Sequence, residues 1–221
     1  MLHTAQLLEG LGISHGFSTA AEGDFQRERL PERVSVARQI HGTHSIWAAV
    51  PGRLPGRLEE EADAVLCRTG SGAGILTADC VPILIVDPLV SLGAAVHAGW
   101  RGTLAGVAEA AVKALAEAGA QPGRMSAAIG PCIRACCYEV SDDLLSGFTH
   151  RFGPQVARPV RRLDLALANR QQLAACGISD NKIEDLEECT HCALEGAKPR
   201  YFSHRREGSG GRQLSWLRFG A

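Results

Sequence analysis

The sequence predicts an α+β or α/β domain with a mixed sheet, or two packed sheets, and helices on the outside. Three observations predict this class. The chain has 221 residues, enough for one domain with a proper core. Continuous apolar runs, typical of buried strands, occur beside amphipathic stretches with helical spacing. These pieces do not alternate as a regular series of strand, helix and strand, so a mixed arrangement is preferred.

The first predicted strands follow a polar loop over 51–61 that contains two Pro-Gly turns. Four strands are predicted here, all of them apolar and short, and a turn or bulge near Asp79 separates the second strand from the third. In order they span 61–69, 72–80, 81–88 and a stretch from 91 that ends at His97.

Helical spacing is clearest over 102–120, where Thr103 can cap the start and Gly119 can end the helix. Two further helices are predicted over 141–152 and over 162–176, with Gly177 just past the end of the second. The remaining predicted strands are 125–133, 182–189 and 200–207.

Composition and charge narrow the classes of function. The formal net charge is −1, so no strong field indicates binding to nucleic acid or to a membrane surface. No window reaches the roughly 20 apolar residues of a membrane span, and the N-terminus lacks the pattern of a signal peptide. These features predict a cytoplasmic protein. The sequence does not indicate the oligomeric state.

The eight cysteines predict reduced thiols, metal ligation or catalysis, because the chain is long and shows no export signal. The pair Cys189 and Cys192 has the spacing of a redox motif or of half a zinc site. No second pair with this spacing follows, which argues against a zinc ribbon.

Three side chains could form a metal site: His41, Cys80 and His97. Each lies at the edge of an apolar segment, where the end of a strand would hold it in place, and a catalytic zinc uses three such ligands. Asp79 could orient a ligand or act as a general base. Two other interpretations stay open. Cys80 and His97 could be nucleophile and base of a hydrolase, or both could simply be buried core residues.

Six segments, in order, resemble the laccase-domain or polyphenol-oxidase-type family. Its bacterial members are also called purine nucleoside phosphorylases or peptidoglycan editing factors. The resemblance runs from about Ser14 to Arg212 and rests on RQIHGT, LTADCVPILIVDP, AAVHAGWRGT, IGPCIRACCYEV, LDLALANRQQL and YFSHRREGSGGR.

The resemblance implies one catalytic α+β domain over residues 1–221, with a mixed β-sandwich core flanked by helices. It also implies a metal, most often zinc, held by His41, Cys80 and His97. The reactions it implies are phosphorolysis of adenosine, inosine and methylthioadenosine, and deamination of adenosine. Zinc lowers the pKa of bound water to about 7, and such a hydroxide could attack C6 of adenine. The partners it implies are thus purine nucleosides and phosphate.

Several residues near these motifs are candidates for substrate contacts. Arg101 could bind phosphate, and so could the pair Arg205 and Arg206, while Trp100 could stack on a base and Asp79 could carry a proton. The resemblance also covers the cysteine-rich segment, which contains Cys132, Cys136 and Cys137. These three cysteines therefore need not be metal ligands.

Three alternatives to purine chemistry remain. A copper polyphenol oxidase is disfavoured because the chain has eight histidines and no His-x-His pair. A hydrolase that edits peptidoglycan precursors would use the same three ligands. A binding protein without turnover is the third alternative, because the segment between 25 and 36 is shorter than is usual in the family.

Overall fold

The structure of the chain is a computed structural model that describes residues 2–48, 54–208 and 210–220. Within these residues the strands form two main sheets and two short ribbons. In chain order the strands are β1 Ser14–Phe17, β2 Val34–Arg38, β3 Ser45–Trp47, β4 Arg57–Glu61, β5 Ala64–Arg68, β6 Gly72–Thr77, β7 Val81–Asp87, β8 Leu92–Ala98, β9 Ser126–Ile129, β10 Ala157–Arg158, β11 Arg162–Leu163, β12 Ile183–Asp185, β13 Leu194–Glu195, β14 Lys198–Pro199 and β15 Gln213–Arg218.

The helices of the described residues lie mostly between β8 and β12 in the chain. They are α1 Gln6–Gly10, α2 Trp100–Ala105, α3 Val107–Glu117, α4 Asp142–Phe152, α5 Leu165–Ala175 and α6 His204–Glu207. None of these helices has the length and apolar character that crossing a bilayer requires.

The two main sheets are both mixed. The six-stranded sheet has the order β12-β9-β7-β8-β5-β3, and the five-stranded sheet has the order β1-β15-β6-β2-β4. Strands β7 and β8 form the antiparallel centre of the first sheet, while β2 lies parallel to β6 in the second. The predicted α+β class with a sandwich core and outer helices is therefore confirmed.

Strand β7 is buried along its whole length because both faces of its sheet are covered. Leu84 and Val86 pack in the apolar cluster between the two sheets. Ile83 and Ile85 point the other way, into a second cluster that includes residues of α3, α4 and α5. Since side chains alternate along a strand, a sheet with two covered faces requires an unbroken apolar run.

The predicted helix over 102–120 is wrong in one respect, because it is two helices. Gly106 has φ +90°, a left-handed conformation that ends α2 and precedes α3. Thr103 therefore lies inside α2 and is not the predicted cap; its side chain forms a buried hydrogen-bonded pair with Asn169. Gly119 follows α3 with φ +106°, as predicted.

Two other predictions differ from the structure. The segment 200–207 is predicted as a strand, but its last four residues form α6, capped by Ser203, which accepts a hydrogen bond from the backbone of Arg206. The polar loop over 51–61 contains strand β4, which pairs parallel with β2. Residues 51–53 of that loop lie outside the described residues. The helix predicted over 141–152 is α4, and the Ser141 side chain caps it by accepting a hydrogen bond from Leu144 N. The glycine predicted just past α5 is confirmed at Gly177.

Asp87 ends β7 as a buried carboxylate, and its Oδ2 lies 2.8 Å from the Arg124 guanidinium and 2.9 Å from the Gln121 backbone nitrogen. Burial raises the pKa of Asp87, but hydrogen bonds from Arg124, Gln121 and Leu89 outweigh burial and lower it. We expect Asp87→Asn to reduce the free energy of unfolding by about 3 kcal/mol at pH 7, because Arg124 loses its charged partner.

The effect should depend on pH in a definite direction. Because the folded-state pKa is lowered, the stabilisation is complete above the ordinary Asp pKa of about 3.9 and declines as the pH falls below it. Urea unfolding of both proteins at pH 7 and pH 3 checks this. If the free energies of unfolding of the wild type and Asp87→Asn differed by the same amount at both pH values, the lowered pKa of Asp87 would be contradicted.

Candidate active site

Polar side chains lie at the neighbouring ends of three strands of the six-stranded sheet. Cys80 immediately precedes β7, His97 lies near the end of β8, and Asp63 immediately precedes β5. The antiparallel register puts Pro82 opposite His97, and Ala64 opposite the residue before His97. The start of β7, the end of β8 and the start of β5 therefore meet at the same place.

His41 reaches this place from the other sheet, on the loop that follows β2. Its φ is +63°, which is uncommon outside glycine. The buried Asp63 carboxylate holds the loop by accepting hydrogen bonds from three successive backbone amides. These donors are Ile40 N at 3.3 Å, His41 N at 2.9 Å and Gly42 N at 2.6 Å. Strain at His41 is thus compensated by bonds to one buried acid.

The predicted ligands His41, Cys80 and His97 lie together. Their possible ligand atoms are all within 4.8 Å of one another, and Cys80 Sγ is 3.9 Å from His41 Nε2. Gly99 permits this approach, because a Cβ atom there would lie 2.7 Å from His41 Cδ2 and 3.1 Å from Cys80 Sγ. The three form a possible metal-binding cluster.

Asp63 also fixes the orientation of His97. Its Oδ1 is 2.7 Å from His97 Nδ1, and both side chains are buried. A carboxylate at Nδ1 keeps the proton there and leaves Nε2 for a metal, as in many zinc proteins. Asp63 is not among the site residues predicted from the sequence. The signal was an acidic residue at the start of an otherwise apolar strand, in the segment ADAVLC.

The electrostatics of the cluster favour a thiolate. Burial raises the pKa of the Cys80 thiol, but the charge of His97 and hydrogen bonds to both histidines outweigh burial and lower it to about 6. Burial lowers the pKa of His97, whereas Cys80 and Asp63 raise it to about 9. The thiolate is the form that binds metals, and metal binding would displace the proton of His97.

The donor set fits one zinc ion with three protein ligands and an open fourth position. A blue-copper centre also uses two histidines and a cysteine, usually with an axial methionine. Met125, however, is buried in the cluster between the sheet and the helices. In the described part of the chain, the groups of three or more metal-binding side chains are this cluster and one of four cysteines.

Two cavities, of about 380 and 370 Å³, meet at the cluster. His41, Cys80 and His204 line both of them. The first extends toward Gln39 and Arg212 on the five-stranded sheet side. His204, on α6, is a residue that the sequence analysis missed, because its segment was predicted as a strand.

The second cavity contains most of the predicted substrate-contact residues. The Arg101 guanidinium lies over the Trp100 ring, 4.2 Å from its centroid. Arg205 lies 5.3 Å from the centroid of the Tyr138 ring and donates to the Glu139 carbonyl oxygen at 2.9 Å. The cavity is thus lined by two cations and two aromatic rings.

Arg206 does not line the second cavity. Its guanidinium donates to the backbone carbonyls of Thr190, His191 and Tyr201 and to the Glu207 carboxylate. All five N–H groups are occupied in this way. Arg206 therefore fastens α6 to the preceding loop, which leaves Arg101 and Arg205 as the candidate anion contacts.

Asp79 lines the second cavity, but its carboxylate is engaged within the chain. Oδ1 accepts from Thr190 Oγ1 at 2.6 Å, and Oδ2 accepts from Ser203 Oγ at 3.1 Å and from Arg205 N at 2.6 Å. These bonds fit an anchoring role for α6 better than the predicted transfer of protons.

Four of the seven remaining cysteines form a second cluster. Cys136 and Cys137 lie beside Cys189 and Cys192, although more than 50 residues separate the two pairs. Burial raises the pKa of the Cys189 thiol, but hydrogen bonds from the backbone amides of Arg134, Cys192 and His191 outweigh burial and lower it. Cys132 does not join the cluster.

The mixed β-sandwich fold agrees with comparisons to known proteins. The sequence profile of a family described as "Multi-copper polyphenol oxidoreductase laccase" matches residues 23–219. The chain therefore belongs to this family, and the resemblance stated from the sequence motifs is confirmed.

Particular relatives carry names of purine chemistry. "Purine nucleoside phosphorylase YlmD" of Geobacillus stearothermophilus is 34% identical over 195 residues, which cover 84% of this chain and 67% of the relative. "Adenosine deaminase RL5" from an unknown prokaryotic organism is 36% identical over 157 residues, which cover 67% of this chain and 58% of the relative.

Solved structures share the fold. The crystal structure of YlmD from Geobacillus stearothermophilus matches with a TM-score of 0.80 and 27% identity, covering 95% of this chain and 93% of that one. The structure of Bacillus licheniformis hypothetical protein YfiH matches with a TM-score of 0.79 and 25% identity, covering 94% of this chain and 93% of that one.

Proposed function

We propose that the chain is a zinc-dependent purine nucleoside phosphorylase, acting on adenosine, inosine and methylthioadenosine, that also deaminates adenosine. One observation carries the proposal: His41, Cys80 and His97 converge where two cavities of ligand size meet. The names of the relatives support the same chemistry.

The second cavity suits a nucleoside and phosphate. The Trp100 and Tyr138 rings offer aromatic surface for contact with a purine, and the Arg101 and Arg205 guanidinium groups offer donors for an anion. Since both cations already stand over the rings, base and phosphate would be bound side by side.

Phosphorolysis exchanges the bond between the base and C1′ of ribose for a bond to phosphate, giving free base and ribose 1-phosphate. Zinc bound at the cluster would supply a Lewis acid, and for the deamination of adenosine, which consumes water and releases ammonia, an activated water. The chain's own residues would hold the phosphate, orient the base and exclude bulk water. His204, which lines both cavities, is placed to exchange a proton with a bound base.

Product chromatography tests the proposal. We expect purified protein to release adenine from adenosine, and hypoxanthine from inosine, only when phosphate is present. Inosine should form from adenosine with or without phosphate. If the zinc-loaded protein gave no product under either condition, the proposed function would be wrong.

Arg101→Ala tests the proposed anion contact. We expect the KM for phosphate to rise about 10-fold with a smaller change in kcat, because one charge-assisted hydrogen bond is removed. Thermal stability should change little, since Arg101 is exposed. The control is Lys113→Ala, which removes an exposed cation from α3 that lines neither cavity. An unchanged KM for phosphate would contradict the role of Arg101.

A further inference from the structure

A second cluster of metal-binding side chains is formed by two distant segments of the chain. Cys136 and Cys137 lie between β9 and α4, and Cys189 and Cys192 lie between β12 and β13. All four Sγ atoms are within 4.8 Å of one another, and Cys136 Sγ is 3.8 Å from Cys192 Sγ. Below, these residues are called the four-cysteine cluster.

The spacing is that of a tetrahedral thiolate site. A zinc ion with four Zn–S bonds of about 2.3 Å keeps its sulfur atoms about 3.8 Å apart. A disulfide would need two sulfur atoms at about 2.05 Å and would use the thiols in pairs. Here four thiols converge on a single point, and none is bonded to another.

We propose that the four-cysteine cluster is a structural zinc site, separate from the His41, Cys80 and His97 site. It goes beyond the proposed activity and does not depend on it. Four thiolates complete the coordination of zinc and leave no open position, so this ion would support the fold and take no part in turnover.

The backbone around the cluster is already organised as such a site requires. Cys132 N donates to the Glu188 carbonyl at 3.2 Å, and Thr190 N donates to the Cys132 carbonyl at 3.0 Å. The Arg134 amide nitrogen lies 3.5 Å from Cys189 Sγ, and the amides of His191 and Cys192 also donate to that sulfur. Amide donors of this kind stabilise a metal-bound thiolate.

The four-cysteine cluster is accessible to solvent, and its loop contacts the other site. Cys136 and Cys192 are exposed, so an ion can enter from solvent, while Cys189 is buried. Within the loop between Cys189 and Cys192, Thr190 donates to the Asp79 carboxylate. A metal that fixes this loop would therefore also restrain Asp79, which precedes Cys80 and lines the second cavity.

Metal analysis of four proteins tests the proposal: wild type, Cys192→Ser, Cys80→Ala and the control Cys176→Ser. Cys176 is a half-buried cysteine at the end of α5, outside both clusters. After expression with zinc and desalting, we expect about two zinc ions per chain in wild type and control, and about one in each of the other two. Equal zinc in wild type and Cys192→Ser would overturn the proposal.

Cobalt substitution of Cys80→Ala provides a test that keeps all four cysteines of the cluster. We expect the absorption bands of tetrahedral cobalt bound to thiolates, since only the second site remains. Absence of these bands, or a disulfide between Cys136 and Cys192 found by peptide mapping, would overturn the proposal. Zinc retained in Cys80→Ala and lost in Cys192→Ser would support this site even if the other site bound no metal.

Discussion

Cys80→Ala is expected to remove the metal of the His41, Cys80 and His97 site and to reduce kcat/KM for nucleosides more than about 100-fold. Loss of a partner that only orients a ligand typically costs about 10–100-fold in affinity or activity, and loss of a ligand should cost more. The thiolate is the anionic ligand of the three, and the neighbouring histidines lower the pKa of Cys80 and so favour this form.

The fold should survive this substitution. Cys80 is half-buried just before β7 and is not part of either apolar cluster. The circular dichroism spectrum should stay unchanged, and the melting temperature should fall only by the amount due to lost metal binding. Cys176→Ala is the matched control and should keep both metal and activity. If Cys80→Ala bound as much zinc or copper per chain as the wild type, Cys80 would not be a ligand of this site.

Asp63→Asn is expected to weaken metal binding about 10–100-fold and to lower the free energy of unfolding by about 2–4 kcal/mol. The carboxylate accepts from four donors: His97 Nδ1 and the backbone amides of residues 40, 41 and 42. An asparagine has only one acceptor atom and adds two N–H groups of its own, so at least two of these donors would face an N–H group.

Both possible orientations of the asparagine side chain in this variant are harmful, for different reasons. If its nitrogen faces His97, the ring must carry its proton on Nε2 and can no longer bind a metal through that atom. If its nitrogen faces Gly42, the loop that carries His41 loses the hydrogen bonds of Ile40 N and Gly42 N and keeps only that of His41 N.

Zinc competition with a chromophoric chelator and urea unfolding of the apoprotein measure the two effects of Asp63→Asn separately. Asp87→Asn is the matched control, because it removes a buried carboxylate at the opposite end of β7 from Cys80 that belongs to neither metal-binding cluster. Unchanged zinc affinity in Asp63→Asn would contradict the positioning role.

The sequence predicted best the strands that are continuous apolar runs. The runs over 81–88 and 91–97 are largely apolar, and the structure covers strands β7 and β8 on both faces. Their ends were recognisable because Cys80 and His97 interrupt apolar segments, and the structure places both in the cluster.

Elements that depend on distant partners could not be predicted in the same way. β4 is formed from five largely exposed residues, and only pairing with β2 makes it a strand. His204 was missed because alternating residues in 200–207 suggest a strand, whereas the Ser203 cap and the bonds of Asp79 and Arg206 favour a helix. The four-cysteine cluster likewise depends on contact between two segments that no local pattern relates.

The position of the metal cluster between the two sheets has a mechanical consequence. His41 follows β2 of the five-stranded sheet, while Cys80 and His97 belong to the six-stranded sheet or border its strands. An ion held by all three would link the two sheets. Its binding free energy would then also stabilise the packing of one sheet against the other. Chelation should therefore increase hydrogen exchange first in the loop over 39–44 and at the start of β7, before the centres of either sheet open. The site proposed to carry the reaction would therefore also hold the two sheets together.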